Sequence, residues 1–116
     1  MSILNIVTKT APSNTAVSIV IAEGVLDIHT VDDFENALSQ LFKNKQYKIV
    51  LNLDKLEYIS SAGIGVLVGT IKDVRRNRGD IKIISGRPEV YKVFELLDLP
   101  TIFKFHKDEY EAAGAF

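Results

Sequence analysis

The 116-residue sequence contains no cysteine. That absence excludes a disulfide framework, a thiol nucleophile, a thiolate zinc site and an iron–sulfur cluster, and it is compatible with a reducing compartment. An excess of one charge is also missing. Fourteen Lys and Arg stand against fifteen Asp and Glu, a formal net charge of -1 that sets up no global field to attract nucleic acid or an anionic membrane. No apolar run approaches the roughly 20 residues that span a bilayer, and Met1 to Thr10 has no basic stretch followed by an apolar one. The expectation is a cytoplasmic protein with neither nucleic acid nor membrane as partner. Proline is scarce, at positions 12, 88 and 100, and there is no repeat, linker or low-complexity tract, so residues 1–116 read as one domain.

What is present is the composition of a globular protein, 47% hydrophobic and 25% charged, which sets it apart from a disordered chain. Ile3 to Thr10, a turn at Ala11-Pro12-Ser13-Asn14 and the β-branched run Val17 to Ala22, bounded by Gly24, predict an opening hairpin. Val31, Phe34, Leu38, Leu41 and Phe42 recur at helical spacing behind Thr30 as N-cap, with Asp33 in the first turn. Lys48 to Leu53 is apolar on both faces, as a buried central strand is, and such a strand needs cover on both sides. A second helical stripe runs from Ile64 to Val74, opened by Ser60-Ser61 and closed at Gly79 behind Arg75, Arg76 and Arg78. Ile81 to Ile84 reads as a strand, Pro88 to Leu97 as a helix stopped by Leu99-Pro100, Ile102 to Phe105 as a short strand, and Asp108 as the cap of a last helix. The order β-β-α-β-α-β-α-β-α implies an α/β fold with a mixed sheet, antiparallel at the first hairpin and parallel afterwards, with about four helices.

Two segments depart from core patterning. Asp54 to Gly65 reads as a strand-end loop entering a helix that opens with hydroxyls and small residues, Ser60-Ser61-Ala62-Gly63-Ile64-Gly65. Loops at the carboxyl ends of strands are where α/β sheets hold ligands, and a helix N-terminus favours an anion. The residues leave two readings open there, a site for a ligand or anion, and a serine that caps the helix with glycines that ease close packing. Gly63, Gly65 and Gly69 are spaced one residue too far for the dinucleotide fingerprint, and neither serine has the preceding glycine of a nucleophile elbow. The second segment, Glu23 to Thr30, carries Asp27 and His29. With His106 the only other histidine, Asp27, His29 and Ser61 make a poor case for a triad, and no His or carboxylate spacing suits a metal. The alternating charges from Lys72 to Arg78 read as a solvated helix face. No catalytic residue, metal or cofactor is expected.

Gly24-x-Leu26-Asp27-x-x-Thr30, the Ile49 to Leu53 strand ending in Asp54, and Ile59-Ser60-Ser61-Ala62-Gly63-Ile64-Gly65 together resemble the STAS family, shared by anti-sigma factor antagonists and the cytoplasmic tails of sulphate transporters. With the element order, the resemblance spans nearly the whole chain. It implies a non-enzymatic module that binds an anti-sigma factor, itself a serine protein kinase, and releases it once a serine at the start of this helix is phosphorylated; a serine phosphatase reverses the change. The match falls on Ser61, and Ser60 occupies the place where many members carry Asp, which leaves Ser60 as an alternative acceptor. The implied partner surface comprises Gly24, Asp27, Thr30, Asp54, Ser60, Ser61, Ala62, Gly63 and Gly65, with Asp27 and Asp54 as acidic neighbours of the phosphoserine. A control module for a phosphatase, cyclase or sensory complex is the alternative output. A transporter tail is disfavoured, since no membrane segment precedes the domain.

Overall fold

The computed structural model describes residues 2–116, which run β1 (Leu4–Ala11), β2 (Asn14–Leu26), α1 (Val31–Lys43), β3 (Lys48–Asn52), β4 (Leu56–Ile59), α2 (Ser61–Arg76), β5 (Asp80–Ile84), α3 (Pro88–Leu96), a 3-10 turn (Leu99–Thr101), β6 (Lys104–His106) and α4 (Glu109–Gly114). The six strands form one mixed sheet in the order β1-β2-β3-β5-β6, with β4 paired to β2. Only the β1–β2 hairpin is antiparallel, and every other pairing is parallel. This is the mixed sheet with four helices that the element order implies.

Period-two alternation assigns the two faces. Val20, Ala22, Ile49, Leu51, Ile81 and Ile83 point into the larger core, where they meet Phe34 and Leu38 of α1, Leu67 and Ile71 of α2, and Phe94 of α3. Their strand neighbours Val17, Ile19, Val50 and Ile84 point the other way, where Ala112 and Ala113 of α4 and the ring of Phe116 cover them. The apolar run Lys48 to Leu53 is therefore covered on both sides, by three helices on one and by a short one on the other. So short a helix needs extra ties. Glu109 of α4 accepts from Asn52 at 2.8 Å and pairs with Lys9 at 3.0 Å, and Asp108 caps the helix by accepting from the Glu111 N–H at 2.8 Å.

Three elements differ from the sequence reading. β2 does not stop before Gly24; it continues to Leu26, because β4 supplies a second partner beyond the end of β3. β4 itself lies within the stretch expected to be a loop. Its inward residues Leu56 and Ile59 are three apart because the pairing slips between Gly24 and Val25, so the strand has neither a clean period of two nor one of 3.6. The last strand begins at Lys104, later than Ile102, which is taken up in closing the 3-10 turn.

Leu67 is fully buried between α2 and the sheet. Leu67→Ala is expected to lower unfolding stability by about 2–5 kcal/mol, the range for truncating a packed leucine, measured by urea denaturation.

Candidate functional site

The parallel pairs Val25 with Tyr58 and Leu26 with Ile59 bring β2 and β4 to the same level at their carboxyl ends. The two chains then leave the sheet side by side, one into Asp27 and the other into Ser60, and the Ser60 N–H donates to the Leu26 carbonyl at 2.9 Å. Two glycines shape this corner, one against β1 and one against β2 and β4. Gly24 has φ +109°, and a side chain there would run into the Ile3 carbonyl of β1's leading segment. Gly63 lies so close to β2 that a Cβ would sit 2.7 Å from Leu26 Cγ and 3.1 Å from Ile59 Cγ1. Nothing crowds Gly65, which is exposed.

The Asp27 to Thr30 loop is closed by its own side chains. The Thr30 hydroxyl donates to the Val25 carbonyl at 2.8 Å and accepts from the Asp27 N–H at 3.0 Å. Thr30 therefore occupies the N-cap position of α1 without a side-chain capping bond, because its oxygen is already committed to the loop. At 5% exposure it shapes the surface from beneath and does not present a contact, as is also true of buried Gly63. Asp27 Oδ1 accepts from the His29 N–H at 2.9 Å, and Oδ2 accepts from the Ser2 hydroxyl. The Ser2 hydrogen bond is the main cause that holds the Asp27 carboxyl below the ordinary aspartate range; slight desolvation opposes it, and the His29 N–H adds to it. No triad forms from these residues, since Asp27 holds the His29 backbone and not its ring.

The two serines divide the helix start between them. Ser60, extended at φ -96° and ψ 173°, is the N-cap, and its Oγ accepts from the Ala62 N–H at 3.3 Å. Ser61 is the first helical residue and is exposed. The first turn of α2 contains no acidic residue, so the partial positive charge of the helix end is unopposed from within the helix. Asp54 is not brought to this corner. It sits at the far end of β4, beside the β5–α3 connection, where a Cβ on Gly86 would meet its Oδ1 at 2.7 Å. The four extended residues of β4, between the Asp54-Lys55 turn and Ser60, span about 13 Å, so Asp54 lies at the opposite end of β4 from Ser61. Two residues outside the sequence-derived set do border the corner: Ile28 is 69% exposed and Tyr58 is 54% exposed. The available signal was an apolar residue within a loop and outside any helical stripe. Among the described residues, no cluster of His, Asp or Glu is placed to hold a metal ion, and no helix is long and apolar enough to cross a membrane.

The family model for the STAS domain matches residues 6–112, a span that contains every element of this corner except Ser2 and Ile3. The chain belongs to the STAS family. It is 31% identical over 94 residues, 81% of either chain, to the Bordetella bronchiseptica protein named "Putative anti-sigma factor antagonist BtrV". Its fold is similar to that of an anti-sigma factor antagonist from Mycobacterium paratuberculosis, at TM-score 0.87 and 19% identity over 97% of this chain and 93% of that one. The anti-sigma factor antagonist SpoIIAA in its unphosphorylated form aligns at TM-score 0.79 and 21% identity, covering 96% and 95% of the two chains. The phosphorylated form of the Bacillus SpoIIAA aligns at 0.69, also at 21% identity, over 94% and 98%.

The division between the serines has a measurable consequence. Ser60→Ala removes the cap and is expected to cost about 0.5–2 kcal/mol of stability, whereas Ser61→Ala should stay within about 0.5 kcal/mol in the same denaturation experiment. A carboxyl titration followed by NMR should place Asp27 below a free aspartate. Its bond to Ser2 is then intact above that midpoint and lost as pH falls through it, and Ser2→Ala should move the midpoint upward.

Proposed function

We propose that this protein is an anti-sigma factor antagonist that acts as a phosphorylation-controlled partner switch, with Ser61 as the acceptor. The observation that carries the reading is the division at the start of α2: Ser60 is spent on the cap, and Ser61 stands exposed at the first helical position beside the Asp27 loop. Relatives named as anti-sigma factor antagonists support the class of partner, and SpoIIAA, known in unphosphorylated and phosphorylated forms, supports the class of modification.

In this reading the unmodified corner docks on an anti-sigma factor that is also a serine kinase. Asp27, Ile28, Tyr58, Ser61, Ala62 and Gly65 contribute to the contact surface, with Thr30, Gly24 and Gly63 setting its shape from below. The kinase transfers a phosphoryl group from its nucleotide to Ser61 Oγ, and the hydroxyl proton leaves. A serine phosphatase hydrolyses the ester and restores the hydroxyl. The phosphate brings about -1.5 to -2 charges, which the free N–H groups and dipole of the helix end accept without any rearrangement of the core. The fold is kept while the surface becomes strongly negative beside Asp27. An interface penalty of roughly 3–4 kcal/mol weakens binding by a few hundred-fold, enough to release the partner.

Mass spectrometry after incubation with the cognate kinase should find phosphate on Ser61. Ser61→Ala should bind the kinase persistently and Ser61→Asp should bind it weakly, both with unchanged thermal melts; Asp27→Ala should weaken the complex without unfolding the chain. Modification confined to Ser60, Thr70 or Ser85 would overturn the assignment, as would tight binding by both Ser61→Asp and the phosphoprotein.

A further inference from the structure

The near-neutral net charge conceals a strong separation of charge along the chain. Residues 10–42 contain no Lys or Arg and five carboxylates, Glu23, Asp27, Asp32, Asp33 and Glu35. Segments 43–48 and 72–80 hold seven of the fourteen Lys and Arg but only two of the fifteen acids, so these fifteen residues carry +5 on a chain of net -1. Both basic segments lie where the parallel strands begin, β3 at Lys48 and β5 at Asp80, at the end of the sheet opposite Asp27 and Ser61.

At that end the α1–β3 and α2–β5 connections and the start of β2 enclose a depression of about 340 Å³. Lys45, Lys48 and Arg78 line it, together with the uncharged hydrogen-bonding side chains of Thr15, Gln46 and Asn77, and no carboxylate does. Among the described residues none of the three cations has a salt-bridge partner. The two acids nearest in sequence are already engaged: Asp73 with Arg76 at 2.8 Å, and Asp80 with Arg75 at 3.2 Å and Lys82 at 3.7 Å. Lys45 and Arg78 also share an uncommon backbone state, φ +58° and +65°, in the left-handed position after a helix where glycine is the usual residue. Two helix ends have thus put a cation on this depression in place of glycine. The carbonyls at the ends of α1 and α2 offset the field by about half a charge each, which leaves an excess of about two positive charges.

We propose that this depression is a second binding site, for a small free molecule that carries two or more phosphoryl groups. The guanidinium of Arg78 offers a planar pair of donors for one phosphoryl group, and the ammonium groups of Lys45 and Lys48 neutralise the rest. The concave, ligand-sized shape and the half-buried position of Lys48 favour a compact anion over a membrane surface, which would demand a flat or protruding basic face. The site is independent of Ser61 and of the partner that docks there.

Pyrophosphate and tripolyphosphate are the probes, titrated calorimetrically at constant ionic strength and mapped by amide chemical shifts. The expected result is saturable binding of one anion per chain, with shifts centred on residues 45–48 and 77–79. The Lys45→Gln/Arg78→Gln double variant should lose at least tenfold in affinity with an unchanged thermal melt, and Ser61→Asp should bind as the parent does. A loss of less than tenfold in the double variant overturns the proposal, as do shifts centred on residues 60–64. Co-sedimentation with phosphatidylglycerol vesicles in the absence of saturable pyrophosphate binding also overturns it and makes the basic end a membrane contact.

Discussion

Parallel pairing of Leu26 with Ile59, past the point where β3 has left the sheet, is the contact on which the candidate site depends. A β2 ending at Ile21, opposite Asn52, would leave Asp27 on an unsupported loop and Ser61 without a fixed neighbour. By extending five residues further, β2 provides a rail for β4, and the two strands deliver an acidic loop and a helix N-terminus to the same edge. The energetic support comes from the buried side chains at that level, Leu26, Leu56 and Ile59, and from Gly63, whose missing side chain lets α2 start directly against Leu26. The site's position is therefore a packing result, and its hydroxyl and carboxylate groups ride on a rigid frame.

Such a frame suits a switch that works by charge alone. Preorganised strands and a capped helix leave the Ser61 hydroxyl at the surface, so adding or removing an anion need not compete with the folding free energy. Thr30 contributes from below, because its two hydrogen bonds close the Asp27 loop on itself. The opposite end of the sheet is organised on different lines. There α1 and α2 finish, and the cations gathered around their ends contrast with the acidic segment that holds Asp27, Asp32, Asp33 and Glu35. A partner approaching the acidic end and an anion approaching the basic end would be oriented by the same separation of charge.

Much of this was legible in the sequence. Fold class, the hairpin, the helical stripes of α1 and α2 and the two-sided apolar strand β3 follow from periodicity, which reports directly which faces are buried. The family resemblance located the two loops through Gly24, Asp27 and Ser60 to Gly65. β4 escaped because four residues with a slipped pairing carry no period. Asp54 and Asp27 look alike in sequence because both follow a strand, and the length of β4 separates Asp54 from the Ser60 corner. Ile28 and Tyr58 carry one signal, an apolar residue outside any helical stripe, and residue type alone does not say whether such a side chain is covered; their exposure is set by packing.

The sequence by itself determined the alternation of strands and helices, the absence of thiol or paired-histidine chemistry, and the serines at the start of α2, because these depend on residue type and local spacing. Tertiary structure decided what stands next to what. Only the parallel register of β2 and β4 places Asp27 beside Ser60, makes Ser60 the cap and Ser61 the exposed hydroxyl, and carries Asp54 away. Only the bringing together of the α1–β3 and α2–β5 connections sets Lys45, Lys48 and Arg78 around one depression. The physical reason is the same in both cases: charge and hydrogen bonding act through distance in space, and residues 30 or more apart in sequence acquire that distance only when the sheet is assembled.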